Sequence, residues 1–266
     1  MTACETLTAG RRVAVLQSNY IPWKGYFDII HDVDLFVFYD DNQYTPRDWR
    51  NRNRIKTASG PQWLTVPVGS HRNRLIHDVD IPDPAWQEKH YQTLRQNYAK
   101  SPHFERYRAW LEHIYLGQRW SNLSQLNQAT VEHVASEFLG IRTQFADSRA
   151  YAAQGQKLDK MVDLVVRVGA STYLSGPAAK EYIVPDRFAE AGIALEWKDY
   201  SGYPEYPQRF GPFEHGVSVL DLLFNTGADA PWFIWGWRQG PLAAPQRDGQ
   251  EAVMRLRRAP GRRPDA

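Results

Sequence analysis

Hydrophobic positions follow two rhythms along the chain. VAVLQ from Val13 and LFVFYD from Leu35 are short, unbroken apolar runs, with the length and the β-branched or aromatic content of strands buried on both faces. Between them, SNYIPWKG is a turn-rich loop and YFDIIHDV suits a short helix, so the chain opens as β-loop-α-β. QWLTVPV, residues 62 to 68, predicts a third strand, which Pro67 places at a sheet edge or a strand end.

From Asp83 the apolar spacing becomes helical. PAWQEKHYQTLRQNYAKSP aligns Tyr91, Leu94 and Tyr98, and HFERYRAWLEHIYLG aligns Trp110, Ile114 and Tyr115. SNLSQLNQATVEHVASEFLG reads as a capped helix ended by Gly140, with Leu126, Val131, Val134 and Phe138 inward. LDKMVDLVVRVGA (helix), STYLSG (strand), KEYIVPDRFAEAG (helix), IALEWKDY (strand) and VSVLDLLFNTG (helix) complete the pattern. Alternation at both ends with a helical middle predicts an α/β fold, a three-layer, mostly parallel sheet with a helical insertion or subdomain over residues 84–140. One domain over residues 12–238 is expected, between a disordered leader, 1–11, and a flexible Arg/Pro-rich tail, 239–266.

Composition narrows the classes. A net charge of +2 gives no global pull toward nucleic acid or membrane. The single cysteine, Cys4, makes neither an internal disulfide nor a CxxC zinc framework, and points to a reducing compartment. No apolar run is long enough to span a bilayer, and MTACETLTAGRR lacks the apolar middle of a signal peptide, so a cytoplasmic location with no membrane partner is expected. Ten Trp and fourteen Tyr fit either a ligand surface or an aromatic core.

Four segments carry candidate chemistry. Gln17, Asn19, Tyr20, Trp23 and Lys24 lie in the loop after the first strand, where open α/β sheets bind ligands. The helix that follows would aim its first N–H groups at an anion. Asp40, Asp41, Gln43 and Tyr44 follow the second strand, and in a parallel sheet the two loops share one cleft. Either carboxylate could act as a base or hold Mg²⁺, although neighbours in extended chain point apart, and one Asp capping a turn with the other solvated accounts for either residue as well. Arg47, Arg50, Asn51 and Arg52 belong to a run of five cations in ten residues that could clamp phosphates, grip RNA, or simply be solvated. Ser175 and Gly176 end a strand before a helix start, within reach of Lys180; a strand-to-helix turn capped by Ser175 explains them equally well. His31 and His77 lie close to these loops in sequence. Asp221 and Asn225, at i and i+4, either face the cleft or support a loop.

The segments LQSNYIPWKGYFDII, FYDDNQYTPRDWRNRNRIK, WLTVPV, YLSGP with Tyr182, and SVLDLLFNTG, in this order, resemble the WbqC-like family over residues 13 to 227. Ser18 stands where family members more often carry Pro. The resemblance implies a role in O-antigen, other polysaccharide or natural-product biosynthesis, as a glycine (aminoacyl) transferase onto an amino sugar. The opening also resembles, more loosely, the pantothenate synthetase arrangement among nucleotidyltransferase-like relatives of Rossmann-like folds, without their HxGH signature.

The leading expectation is therefore acyl or aminoacyl transfer to an amine. Lys24, Arg47, Arg50 and Arg52 would hold phosphate or carboxylate groups; Gln17, Asn19 and Asn51 would orient the acceptor, and Asp40 or Asp41 would take the amine proton or bind Mg²⁺. The donor would be activated by ATP or arrive as an aminoacyl-tRNA, and the acceptor would be a nucleotide-linked amino sugar or another small molecule. A nucleic-acid or tRNA-binding module, and a glycosyltransferase or sugar-binding protein without the DxD pattern, are the alternatives.

Overall fold

Five short strands lie side by side and all run parallel, in the order β5-β2-β1-β6-β7. The computed structural model describes residues 10–71 and 73–239, so Cys4, nearly all of the expected leader and almost the whole expected tail lie outside the described residues. Strand β1 (Arg12–Leu16) is central, pairing with β2 (Leu35–Phe38) from Val13↔Leu35 to Leu16↔Phe38, and with β6 (Thr172–Ser175) on its other side. Strand β5 (Gln144–Asp147) pairs with β2, and β7 (Ala194–Trp197) with β6.

Period-2 alternation sorts the strand side chains onto two faces. Ala14, Phe36, Phe38 and Leu174 join one hydrophobic cluster with α1 (Lys24–His31) and α7 (Val219–Thr226). Val13, Val15, Leu35, Val37 and Tyr173 join another with α5 (Leu158–Arg167) and Phe188 of α6 (Pro185–Glu190). Helices on both faces make the expected three layers. The segment between β2 and β5 carries α2 (Ala85–Tyr98), α3 (Phe104–Glu112) and α4 (Leu123–His133), the last two each continued by a π-helical turn. Its buried residues, Leu94, Leu111 and Leu126 among them, share the cluster of α1 and α7.

The structure corrects two readings of the pattern and adds two strands, β3 (Arg52–Thr57) and β5. The run at residues 62–68 does not enter the main sheet. It supplies β4 (Gly60–Thr65), the antiparallel partner of β3 (Arg52–Thr57) in a separate hairpin. The charge-rich β3 is legible only once Asn53 and Ile55 are seen to be its buried face. Strand β5, QFAD, gave no signal because it is an edge strand with no fully buried side chain. Finally, KEYIVPDRFAEAG is not one helix. A 3₁₀ turn, Pro177–Glu181, is followed by α6, which starts at Pro185, because proline fits the first turn of a helix and holds Val184 extended.

Among the described residues no helix is long and apolar enough to cross a membrane.

Candidate functional site

The chain leaves β1 toward β2 by way of α1, and returns from β5 to β6 by way of α5 on the opposite face. The neighbours β1 and β6 therefore mark the point where the winding reverses, and the crevice beyond their carboxyl ends is where open α/β sheets take ligands. A cleft of about 930 Å³ opens there. Val15, Leu16, Tyr173 and Ser175 reach it from the strand ends, and Gln17, Asn19 and Trp23 from the loop after β1. Asn42, Trp49 and Arg50 reach it from the segment after β2, so the two polar loops meet at one hollow. A second hollow, of about 610 Å³, is lined by Arg11, His31, Asp34 and Gln144 at the amino ends of the strands. That is the end away from the switch point, and Arg11 already donates to Gln144 across it.

The β1–α1 loop owes its shape to buried polar contacts. Ile21 sits at φ +35°, a left-handed backbone that a β-branched residue adopts only when its surroundings enforce it. The Asn53 amide supplies that force, donating to the carbonyls of Tyr20 and Ile21, while the Tyr20 N–H donates to Trp49 O. The Trp23 indole then folds over the first turn of α1, where a Cβ on Gly25 would lie 2.3 Å from the ring. The first turn of α1 is thus covered by an indole, contrary to the expectation that its N–H groups receive an anion.

Cations reach the cleft from elsewhere. Lys157 and Lys160, at the start of α5, line it together with Met161. The Lys160 ammonium pairs with the Asp41 carboxylate at 2.7 Å, donates to the Asp41 carbonyl at 3.0 Å, and lies 5.5 Å from the Tyr39 ring centroid. Ser148 donates to the same carboxylate. Burial first, and the Asp41 charge second, push the Tyr39 phenol up to about 12, so it stays protonated at neutral pH. Arg50 lines the cleft paired with Asp48. The Gln17 and Asn19 side chains also line it, and neither makes a hydrogen bond among the described residues.

The remaining expected site residues divide by surroundings. Asp40 is fully buried, and its carboxylate accepts from Ser18 N–H at 2.8 Å, Ser124 Oγ at 2.5 Å and Gln128 Nε2 at 3.1 Å. It brackets the loop after β1 to α4, whereas Asp41 sits beside the cleft cation. Tyr20 is buried, bonded to His90 Nδ1 and the Tyr115 hydroxyl. Tyr44 is buried beneath the Arg74 guanidinium. Asn51 is buried and donates to Val66 O. Gln43 and Arg47 are exposed and are not among the cleft residues, and Arg52 lies over the Trp63 ring. Ser175 and Gly176 line the cleft, but Lys180 lies on Trp197 instead. His31 stacks on Trp235, and His77 Nδ1 contacts Asp40 O. Asp221 is buried, accepting from Tyr98, Tyr206 and Gln208, and its carbonyl takes the Asn225 amide.

Lys24 is only 2% exposed and packs against the rings of Tyr203, Tyr206 and Phe213 rather than in the cleft. Burial lowers its ammonium from the ordinary 10.5 to about 8, against the opposing pull of Asp221, Asp28 and Glu205. A base whose folded value lies below its unfolded value binds more protons when unfolded, so its contribution to stability rises with pH between about 8 and 10.5. Lys24→Met is expected to raise stability at pH 7, by roughly 1–3 kcal/mol, and to flatten that rise. Urea denaturation at pH 7 and pH 9.5 measures both, and a destabilised variant at pH 7 would show that the ring contacts outweigh the desolvation.

Sequence reasoning missed Lys157, Lys160, Met161 and Tyr200 of the cleft. A helix that follows a parallel strand begins at the carboxyl edge of the sheet, so recognising β5 would have placed the start of α5 there.

Sheet order and cleft together define a doubly wound α/β protein with a ligand-sized hollow at its switch point. Residues 17–232 match the WbqC-like protein family, and the chain belongs to it. It is 45% identical over 231 residues to the uncharacterized protein Rv1507c of Mycobacterium tuberculosis, an alignment spanning 86% of this chain and 100% of that one. No solved structure gives a significant match.

Proposed function

We infer that the chain is an acyl- or aminoacyl-transferase that forms an amide on an amino sugar or a related small metabolite, in polysaccharide or natural-product biosynthesis. The observation that carries this reading is the composition of the switch-point cleft. Gln17 and Asn19 offer amides with no hydrogen-bond partner among the described residues, Trp23 and Tyr200 offer rings, and Lys160, Lys157 and Arg50 offer cations. Rings and amides suit a sugar, and cations suit the phosphates of its nucleotide carrier.

In the reaction the acceptor amine attacks the carbonyl carbon of the donor, and a C–N bond forms. The bond from that carbon to the donor's leaving oxygen breaks, its electron pair staying on the oxygen, and one amine proton passes to that departing oxygen. Aligning amine and carbonyl can supply much of the rate without a covalent intermediate. The donor is either an acyl group activated with ATP or a preformed aminoacyl ester.

The test is incubation of the purified chain with a uridine diphosphate-linked amino sugar, glycine and ATP with Mg²⁺, and in parallel with glycyl-tRNA in place of glycine and ATP. Mass spectrometry should find a new amide on the sugar in one arm, at a rate reduced at least about tenfold by Asn19→Ala. Absence of product in both arms, with no thermal shift from the sugar nucleotide, would sink the reading.

A further inference from the structure

The hairpin of β3 and β4 carries a surface that the cleft chemistry does not use. Asn53, Ile55 and Leu64 form its inward row (Lys56 and Thr57, nearer the turn, are buried as well), and alternation sends Arg52, Arg54 and Trp63 to the other face, with Arg54 directly opposite Trp63. Trp63 is 41% exposed and Trp49 43%, and their ring centroids lie 5.3 Å apart. The guanidinium of Arg52 lies 4.2 Å from the Trp63 centroid and that of Arg54 5.9 Å. Two indoles exposed side by side are costly on a surface with no partner. Trp49 also lines the cleft, so the strip is continuous with its mouth.

Charge decides what the strip fits. From residue 45 to residue 75 the chain has seven Arg and Lys against one acidic residue, Asp48. Asp48 is occupied by Arg50, and Glu214 stands 3.8 Å from Arg54. Arg47 and Arg52 have no acidic partner among the described residues. The surface therefore alternates π faces with cations and expects a partner that alternates flat rings with negative charge.

We propose that this strip docks a single-stranded RNA end and leads it toward the cleft. Bases stack on Trp49 and Trp63, and phosphates meet Arg47 and Arg52, while Arg54 is held by Glu214 and the Gly216 carbonyl. A charged glycan also lays C–H faces on an indole, as a sugar would in the cleft, but planar bases alternating with phosphates match indoles alternating with guanidiniums more closely. The proposal holds whatever reaction the cleft performs.

The test is fluorescence anisotropy with a labelled short single-stranded RNA, the same RNA as a duplex, and heparin as competitor. The single strand should bind more tightly than the duplex, with an affinity that falls as salt rises. Trp63→Ala should weaken it roughly fivefold or more, Trp63→Phe should restore most of the loss, and Arg52→Gln should weaken binding and flatten its salt dependence. Thermal melts of the two Trp63 variants should match the parent, since that side chain is exposed, and a melt of Arg52→Gln separates lost binding from any loss of fold at the half-buried Arg52. The proposal is overturned if low salt gives no binding, if duplex and single strand bind alike and Trp63→Ala changes nothing, or if heparin displaces the strand at far lower concentration than unlabelled RNA does. Amide formation from small-molecule donors is read separately, so either result stands without the other.

Discussion

Asp40→Ala is expected to lower the stability of the fold by about 3 kcal/mol, the largest effect of any substitution near the cleft. The carboxylate is out of contact with water and takes a backbone N–H, a hydroxyl and an amide N–H. Truncation strands the Ser18 N–H in an apolar setting, where an unpaired donor keeps its full desolvation cost. Asp40→Asn should cost less, about 1–2 kcal/mol, because the amide oxygen still accepts from Ser18. The midpoint of urea unfolding, with the slope unchanged, reads both losses. If Asp40→Asn abolished product formation at parental stability, Asp40 would be acting on substrate and not as a bracket.

Lys160→Met should weaken binding of a uridine diphosphate-linked amino sugar by about tenfold to a hundredfold, the range expected when a charge-assisted contact of roughly 1.5–3 kcal/mol is lost. Met retains the packing against Tyr39 but leaves Asp41 with Ser148 alone, and a negative charge then faces the phosphates unbalanced. Lys160→Arg should recover much of the affinity. Isothermal titration of the three proteins decides the matter, and an affinity unchanged within about twofold would remove Lys160 from the site.

The unequal legibility of fold and cleft has physical causes. β1, β2 and β6 were readable because strands inside a parallel sheet bury both faces and become short apolar runs, and β7, an edge strand, because Leu195 and Trp197 alternate with the exposed Ala194 and Glu196. β5 and β3 were not: one is a half-exposed edge, and the other hides its inward side behind Asn53, whose polarity is satisfied by carbonyls 32 and 33 residues earlier in the chain. The same blindness governs the loops. Tyr20 and Tyr44 look like ligand contacts in a polar stretch, yet both are buried. Tyr20 finds its partners, His90 and Tyr115, in the helical middle of the chain. Trp23, Gln17 and Asn19 were placed at the hollow because their loop begins at a strand end, a position that chain order alone fixes. Lys24, one residue on, turns toward Tyr203 and Tyr206.

The indole of Trp23 has room over α1 only because residue 25 lacks a side chain. Chains of this winding commonly keep glycine near their first helix so that a pyrophosphate can approach the backbone. Here the empty space is filled by the protein's own ring, which also touches Tyr200 and Tyr203. A methyl group added at Gly25 would displace that ring and reset the width of the hollow from behind, so what the hollow admits can be retuned at a residue that does not line it.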